Sequence, residues 1–427
     1  MELFGITVLI LMICLFMKVP VFISVLAASM SYFILGSDVP SMIFAQRMTS
    51  GVENVTLLAI PFFIALGVYM NLTGVTERIM NFAKIITGRM AGGLAQVNIL
   101  VSTLMGGMSG SSLADAAMDS KMLVPEMERN GFSRPYSAVV TAFSSTITPL
   151  IPPGIGMILY GSIANVSIGK LFVSGLGIGS LLCIVMMILN SFISKKRGYV
   201  AIRDKKVELK VFMSALKDAF FPLCLPIIII GGIRIGIFTA TEAGAAGIVY
   251  ALILGIFYKE LTFAKFIQGI KETVEATASI MVIVGAASTF AWILTRERVP
   301  QELMAFVVEN IHNKYIFLII VNLLLLIVGM FIEGNAAMII LVPLLAPIAA
   351  SYGINEIQFA MMFIFNMAIG GISPPMGTIM FVTCGLTKCK IKDFLKESIP
   401  YFILMLFVLV LLTFFTPFST ILVDLVF

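Results

Sequence analysis

Charge is what this chain has least of. Of its 427 residues 12% are Asp, Glu, Lys or Arg, against about 25% in an average soluble domain. So few charges cannot cover a surface that faces water, which excludes a soluble globular enzyme. Disorder is excluded by the 59% of hydrophobic residues, too much apolar surface to leave solvated. The five cysteines (Cys14, Cys183, Cys224, Cys384, Cys389) show no CxxC spacing, and four lie in or beside apolar runs, so they read as buried thiols. Neither HExxH nor GxGD occurs, and the single histidine, His312, stands in a polar loop. Metalloprotease and intramembrane aspartyl-protease chemistry therefore lack their parts, and no enzyme is expected. The N-terminus has no basic n-region and no A-x-A-like cleavage site, so it reads as a retained span. The net charge of +5 comes from short clusters between apolar runs and does not point to nucleic acid.

What is present is apolar sequence: mean hydropathy is +1.07. Runs long enough to cross a bilayer occupy residues 55–73, 132–164, 168–193, 214–237, 240–258, 278–294, 355–387 and 399–425. The stretch 3–36 reads either as one bent helix or as two short ones turning at Lys18-Val19-Pro20. Residues 75–90 and 262–276 mix charge and apolar residues near helical spacing, which predicts amphipathic helices on the membrane surface. Residues 194–210 hold seven Lys/Arg and two acids, and the positive-inside rule puts them in the cytoplasm. The clusters around Arg78–Arg89, Lys121–Arg134, Lys259–Lys271 and Lys388–Lys396 then fall on the same side, and the C-terminus falls outside. Trp292, near the end of a span, reads as an interfacial anchor.

The chain also matches itself. In one ungapped register, which lays Leu72 on Leu294 and Phe172 on Phe394, 17 of the 101 positions from Leu72 to Phe172 are identical. The matches fall on structure-setting residues: Gly107-Met108 on Gly329-Met330, Pro125 on Pro347, Gly131 on Gly353, Pro152-Pro153 on Pro374-Pro375. By the charge count the two copies face opposite ways across the membrane. Inverted repeats are the mark of many secondary transporters, with substrate and ion sites near the midplane where the repeats meet. The expected fold is an all-α integral membrane protein of two inverted-topology repeats. The boundaries are 1–54 (N-terminal helices), 55–193 (first repeat), 194–213 (basic cytoplasmic loop), 214–277 (connecting helices) and 278–427 (second repeat).

Each repeat carries two interruptions. GGMSGSSLAD (106–115) is answered by GMFIEGNAA (329–337), each between runs of about 15 residues, short for a full span. Both predict re-entrant hairpin tips, at 106–112 and 329–337. TPLIPPG (148–154) is answered by GGISPPMG (370–377), where a Pro-Pro pair removes two backbone donors and breaks the helix. Non-helical backbone at membrane depth is tolerated only where protein buries it or a cavity opens beside it. Its carbonyls and the Ser/Thr/Asn oxygens can replace the hydration shell of a hard cation such as Na⁺, and half-helix N-termini can receive an anion. Asp115, just past the first tip, is a cation-site or packing candidate, because acids at membrane depth are functional by default. Asp119, one turn on, fits a place near water equally well. Thr239 and Glu242 have the spacing of a capping box, a structural role.

These motifs, with T-x-T-E-A at 239–243, make the chain resemble the large membrane subunit of tripartite ATP-independent periplasmic (TRAP) transporters over essentially its whole length. The resemblance implies an elevator-type transporter of an ion-transporter superfamily that imports an organic carboxylate, of sialic acid or C4-dicarboxylate type, with Na⁺ as coupling ion and no other cofactor. It implies two partners besides the inner-membrane bilayer: a periplasmic substrate-binding protein and a small four-helix membrane subunit. The chain opens directly on large-subunit sequence, so that small subunit is expected as a separate polypeptide. Carried over by motif, Ser109, Ser111, Ser112 and Asp115 with Thr148 and Pro149 form one Na⁺ site. Glu333, Gly334 and Asn335 with Gly370, Ser373, Gly377 and Thr378 form another. Substrate candidates are Ser112, Pro152, Pro153, Asn335, Pro374 and Pro375. The rivals are a stand-alone Na⁺/anion symporter of the same superfamily, needing neither partner, and a channel, which needs no midplane solute site.

Overall fold

Glycine caps such as Gly110 and Gly198 and the two Pro-Pro pairs mark helix breaks, whereas Pro125, Pro222, Pro226, Pro343, Pro347 and Pro400 lie inside helices. In this computed structural model residues 2–17, 19–36, 39–53, 55–199, 201–202 and 207–427 are described; for residues 2, 16, 55 and 107–109 that description is of backbone only. The N-terminal stretch is two helices, α1 (Glu2–Phe16) and α2 (Val21–Leu35), with the turn at Pro20; Lys18 lies outside the described residues. Then come α3 (Met42–Val52), a 3-10 turn (Val55–Leu58), α4 (Ala59–Leu72) and α5 (Val75–Thr87). The first hairpin is α6 (Gly93–Ser109) and α7 (Ser112–Arg129). The first interrupted helix is α8 (Arg134–Ser144), a 3-10 turn (Thr148–Leu150) and α9 (Ile155–Ala164), its halves bent by 41°. The helices α10 (Ile168–Arg197), α11 (Leu209–Arg234), α12 (Ala240–Phe257), α13 (Phe263–Arg296) and α14 (Val299–Asn310) lead to the second hairpin, α15 (Lys314–Phe331) and α16 (Gly334–Ser351). The second interrupted helix is α17 (Glu356–Gly370) and α18 (Thr378–Thr387), followed by α19 (Ile391–Phe414) and α20 (Thr416–Val426).

Among the described residues seven helices are long and apolar enough to cross a membrane, or nine if two bent pairs each count as one span. One flank of α15 shows why lipid is their solvent. Ile316, Ile319, Ile320, Leu323 and Ile327 are all exposed, while Phe317, Leu318, Val321 and Leu325 are buried. In water such a stripe would drive association; in hydrocarbon it costs nothing.

Three sequence expectations are corrected. Residues 262–276 do not form a separate surface helix. They are the first part of α13, a 34-residue helix that also holds 278–294, so the boundary at 277/278 falls inside a continuous rod. No proline interrupts it, and at 1.5 Å per residue it spans about 50 Å, well beyond a hydrocarbon core of about 30 Å. Its charged end therefore stands clear of the apolar slab. The run 399–425 is two helices, not one, broken at Phe415 two residues before Pro417. The basic segment is partly helical, because α10 continues to Arg197 and α11 starts at Leu209; residues 200 and 203–206 lie outside the described residues. By contrast 75–90 holds a helix, α5, whose Val75, Ile79, Met80, Phe82 and Ala83 are buried as it packs on α6 and α11.

Element starts repeat along the chain in the register of the sequence match. Gly334 and Glu356, which open α16 and α17, stand where Ser112 and Arg134 open α7 and α8. The starts of α15, α18 and α19 are each displaced by a single position from those of α6, α9 and α10. Packing exchanges between the two sets: α7 lies on α18 and α16 on α9, while α19 lies on α8 and α10 on α17. The second arm of each hairpin thus meets the second half of the other set's interrupted helix, which brings both tips and both breaks to one place.

Candidate functional site

Both tips are tighter than their motifs. The first reduces to Gly110 and Ser111, since residues 106–109 are still helical. Gly110 is left-handed (φ 59°), and a Cβ there would sit 3.0 Å from Ile155 Cγ1 of α9, so both conformation and space call for glycine. Ser111 is the N-cap of α7, its hydroxyl accepting from the Ala114 N–H at 3.4 Å. The second tip is Ile332 and Glu333, with Gly334 and Asn335 already in α16. Glu333 is the repeat equivalent of Ser111 and the N-cap of α16. Its Oε2 accepts from the N–H groups of Asn335 (3.0 Å) and Ala336 (3.2 Å).

The breaks approach the first hairpin arms at equivalent points. A Cβ on Gly106 would lie 2.9 Å from Thr148 Cα, and one on Gly370 would lie 2.6 Å from Gly329 Cα. Thr148 and Gly370 again coincide in the repeat register. The small residues let each hairpin touch its interrupted helix backbone to backbone.

Tips and breaks enclose a cavity of about 70 Å³. Ser111 and Ser112 reach it from the first tip, and Glu333, Gly334 and Asn335 from the second. Pro149 comes from the first break, Gly371 and Thr378 from the second. Met338, Ile364 and Met367 make the apolar wall. Of the charged residue types only Glu333 is among its lining.

Other sequence candidates lie elsewhere. The Pro152-Pro153 and Pro374-Pro375 pairs are not among the residues that line the cavity: the first is buried, the second exposed, and both Pro–Pro bonds are cis. Gly370, Ser373 and Gly377 build the second break instead. The Ser373 hydroxyl donates to the Ile369 carbonyl at 2.8 Å, and the Gly377 N–H to the Ser373 carbonyl at 2.9 Å. The Ser109 side chain lies outside the described residues. Thr239 and Glu242 form a reciprocal capping box at the start of α12. Trp292 is packed inward as well as placed near a helix end, stacking on Phe33 of α2 at 5.6 Å between centroids.

Asp115 and Thr148 stand behind the cavity, joined by a hydrogen bond from Thr148 Oγ1 to Asp115 Oδ2 at 3.0 Å. Asp119 is not near water: it is fully buried and accepts from Ser102 Oγ at 3.1 Å. Ser144 Oγ lies 3.1 Å from Ser102 Oγ and donates to Asn98 Oδ1 at 2.8 Å; Asn98 Nδ2 donates to Thr141 Oγ1 at 2.7 Å. Among the described residues Oδ1 of Asp115 and Oδ1 of Asp119 are buried with no hydrogen-bond partner. An uncompensated carboxylate in such a place is costly, and a hard cation or a proton removes the cost. No group of three His, Cys, Asp or Glu that could hold a metal ion occurs among the described residues.

Asn98, Ser102 and Ser144 were not singled out in the sequence. The available signal was spacing: Asn98 and Ser102 are four apart on α6, Asp115 and Asp119 four apart on α7, so each pair shares one helix face. A comparable polar cluster serves the second set of helices. Asn366 Nδ2 donates to Asn322 Oδ1 at 2.7 Å and Asn322 Nδ2 to Thr413 Oγ1 at 3.1 Å. Asn366 is the repeat equivalent of Ser144.

Comparison with known proteins agrees with this architecture. The family model "Tripartite ATP-independent periplasmic transporter, DctM component" matches residues 8–418. The sialic acid TRAP transporter large permease protein SiaM of Vibrio cholerae is 39% identical over 412 residues, covering 96% of each chain. The C4-dicarboxylate TRAP transporter large permease protein DctM of Pseudomonas aeruginosa is 34% identical, covering 85% of this chain and 84% of that one. Among solved structures, the YdaH transporter of Alcanivorax borkumensis superposes with a TM-score of 0.60 at 13% identity, over 89% of this chain and 88% of that one, a likeness of fold alone. This chain is a multi-pass inner-membrane transporter permease, not an enzyme, and it belongs to the DctM component family of tripartite ATP-independent periplasmic transporters.

Proposed function

We propose that the chain couples a Na⁺ gradient to import of an organic carboxylate, of sialic acid or C4-dicarboxylate type. A periplasmic binding protein delivers the solute, and a small four-helix membrane subunit stands beside the chain as the fixed partner of an elevator-like movement. The observation that carries this reading is the single cavity into which both hairpin tips and both helix breaks project.

The two tips divide the work unequally. The N-terminus of α16 already has a carboxylate, that of Glu333, accepting its first N–H groups. The N-terminus of α7 is capped only by the Ser111 hydroxyl. Its remaining N–H groups at Ser112 and Leu113 and its positive dipole end are the better seat for the solute carboxylate. Na⁺ fits behind that tip, among Asp115, Thr148 and the carbonyls of the first break, where it compensates the buried acid and holds the tip against the break. A second Na⁺ fits the equivalent corner of the second tip, between Glu333–Asn335 and the break at Gly370–Thr378. Each ion braces a tip, so the solute seat is complete only when Na⁺ is bound, and this is how the gradient is coupled to uptake. By the charge pattern the two helix sets are inverted repeats, and an elevator-like displacement of the tips and breaks together exposes the cavity to one side at a time.

Reconstitution of the large and small subunits in liposomes, with the binding protein outside, tests the reading. Over a panel of organic acids, uptake of one or more is expected only with an inward Na⁺ gradient. Ser112→Ala and Asp115→Ala are expected to lower uptake by weakening its Na⁺ dependence. Accumulation that is indifferent to Na⁺, or robust uptake by the large subunit alone, contradicts it.

A further inference from the structure

We propose that the groove between α5 and the first turns of α11 is a phospholipid site that grips the phosphodiester of the headgroup. Arg78, Asn81 and Ile85 are three and four residues apart on α5 and share one face. Lys210, Ser214 and Asp218 are four apart on α11 and share another. The two faces flank an open groove of about 430 Å³, whose lining shares no residue with the cavity between the hairpin tips. Below it Phe82 meets Phe212, with centroids 6.2 Å apart, and holds the helices in register.

Arg78 is positioned before any ligand arrives. Its guanidinium lies 3.7 Å from the centroid of the Tyr258 ring, and its Nη1 donates to the Gly74 carbonyl at 2.9 Å. The Tyr258 hydroxyl in turn donates to the Asp218 carbonyl at 3.4 Å, so α12 fixes this end of the groove from both sides. Neither Arg78 nor Lys210 has a carboxylate within 4.0 Å among the described residues. A stacked guanidinium presenting its outer edge, an ammonium, an amide and a hydroxyl together form a donor set for phosphate oxygens.

Depth decides the source of the phosphate. The segment Leu209–Asp218 carries Lys210, Lys217 and Asp218, whereas 219–233 carries no charge at all. The groove therefore lies where α11 leaves the hydrocarbon, at headgroup level. Leu209, Val211 and Met213 on the same turns are 75%, 45% and 53% exposed, apolar surface against which acyl chains can lie. Asp218 makes the groove a poor seat for a free phosphate dianion. It offers an acceptor to a headgroup that has its own donor, an ethanolamine ammonium or a glycerol hydroxyl.

The complex with the small subunit, delipidated in detergent and titrated with short-chain phospholipids under native mass spectrometry, provides the test. One phosphatidylethanolamine or phosphatidylglycerol is expected to bind preferentially. The doubly neutralised variant R78Q/K210Q should bind it about tenfold more weakly. Asn81→Trp, which keeps both charges and fills the groove, should lose binding while the complex stays intact. Equal binding by wild type and both variants overturns the proposal. So does displacement of lipid by millimolar inorganic phosphate, which would make this an ion site, or equal binding of phosphatidylcholine, which would remove the role given to Asp218. Cross-linking from Asn81→Cys to the small subunit, with no lipid adduct, would show a protein segment in the groove instead. None of these readouts involves transport, so their failure leaves the Na⁺-coupled reading standing.

Discussion

Asp115 and Asp119 bring two carboxylates onto one face of α7 at full burial, each with an oxygen that no described donor satisfies. Thr148 and Ser102 satisfy the other two oxygens, tying one acid to the first break and the other to α6. Asp119→Asn keeps the size and can keep the Ser102 bond but removes a charge. The Na⁺ concentration for half-maximal uptake is predicted to rise about tenfold, which corresponds to about 1.4 kcal/mol of lost ion binding. An unchanged Na⁺ dependence would leave Asp119 with packing alone. Thr239→Ala removes half of the capping box of α12 and should cost about 1 kcal/mol of stability without changing solute or Na⁺ dependence, read as thermal unfolding of the complex beside uptake. Asp115 and the Thr239–Glu242 pair were legible in the sequence because acids in apolar runs and S/T-x-x-E spacing stand out. Asn98, Ser102 and Ser144 were not. One small polar residue per turn in an apolar helix looks like ordinary packing until the partner helix is known.

At the scale of elements, each hairpin is held to its interrupted helix by the absence of side chains. Gly370→Ala puts a Cβ against Gly329 backbone, with no flexible side chain to yield. We predict a loss of about 1–3 kcal/mol, together with weakened uptake, measured by thermal unfolding and transport of the complex. Gly110→Ala should cost about 1–2 kcal/mol from its left-handed φ and further disturb the first tip. A variant at either position that unfolds and transports like the wild type would show that the close approach is dispensable. The breaks and the neighbourhood of the tips were readable, since Gly clusters and Pro-Pro pairs punctuate apolar sequence whatever surrounds them. The lengths were not. Backbone hydrogen bonding carries α6 through Ser109 against the low propensity of its glycines, the Gly110 N–H still donating to the Gly106 carbonyl at 3.1 Å, so the first tip narrows to two residues. The continuity of α13 was hidden because charge beside apolar sequence reads as a surface helix, whereas a rod longer than the bilayer carries the same pattern.

For the whole molecule, scarcity of charge fixes the solvent and the exchange of packing between α6–α10 and α15–α19 fixes where function gathers. The sequence showed the repeat register and the charge asymmetry. It could not show that tips and breaks close around one cavity, because that depends on which arm crosses which half-helix. Pro375 sits only three residues before Thr378, yet it is exposed and is not among the residues that line the cavity, as Thr378 is. This contrast allows the most direct measurement. With the five native cysteines replaced, Ser112→Cys, Asn335→Cys and Pro375→Cys variants of the complex are alkylated with and without the transported acid, in Na⁺ or in K⁺. The account predicts that solute and Na⁺ together protect Ser112→Cys and Asn335→Cys to the same extent, that K⁺ abolishes this protection, and that Pro375→Cys labels equally throughout. Protection of one tip without the other, or of neither, would contradict a shared seat between the two hairpins.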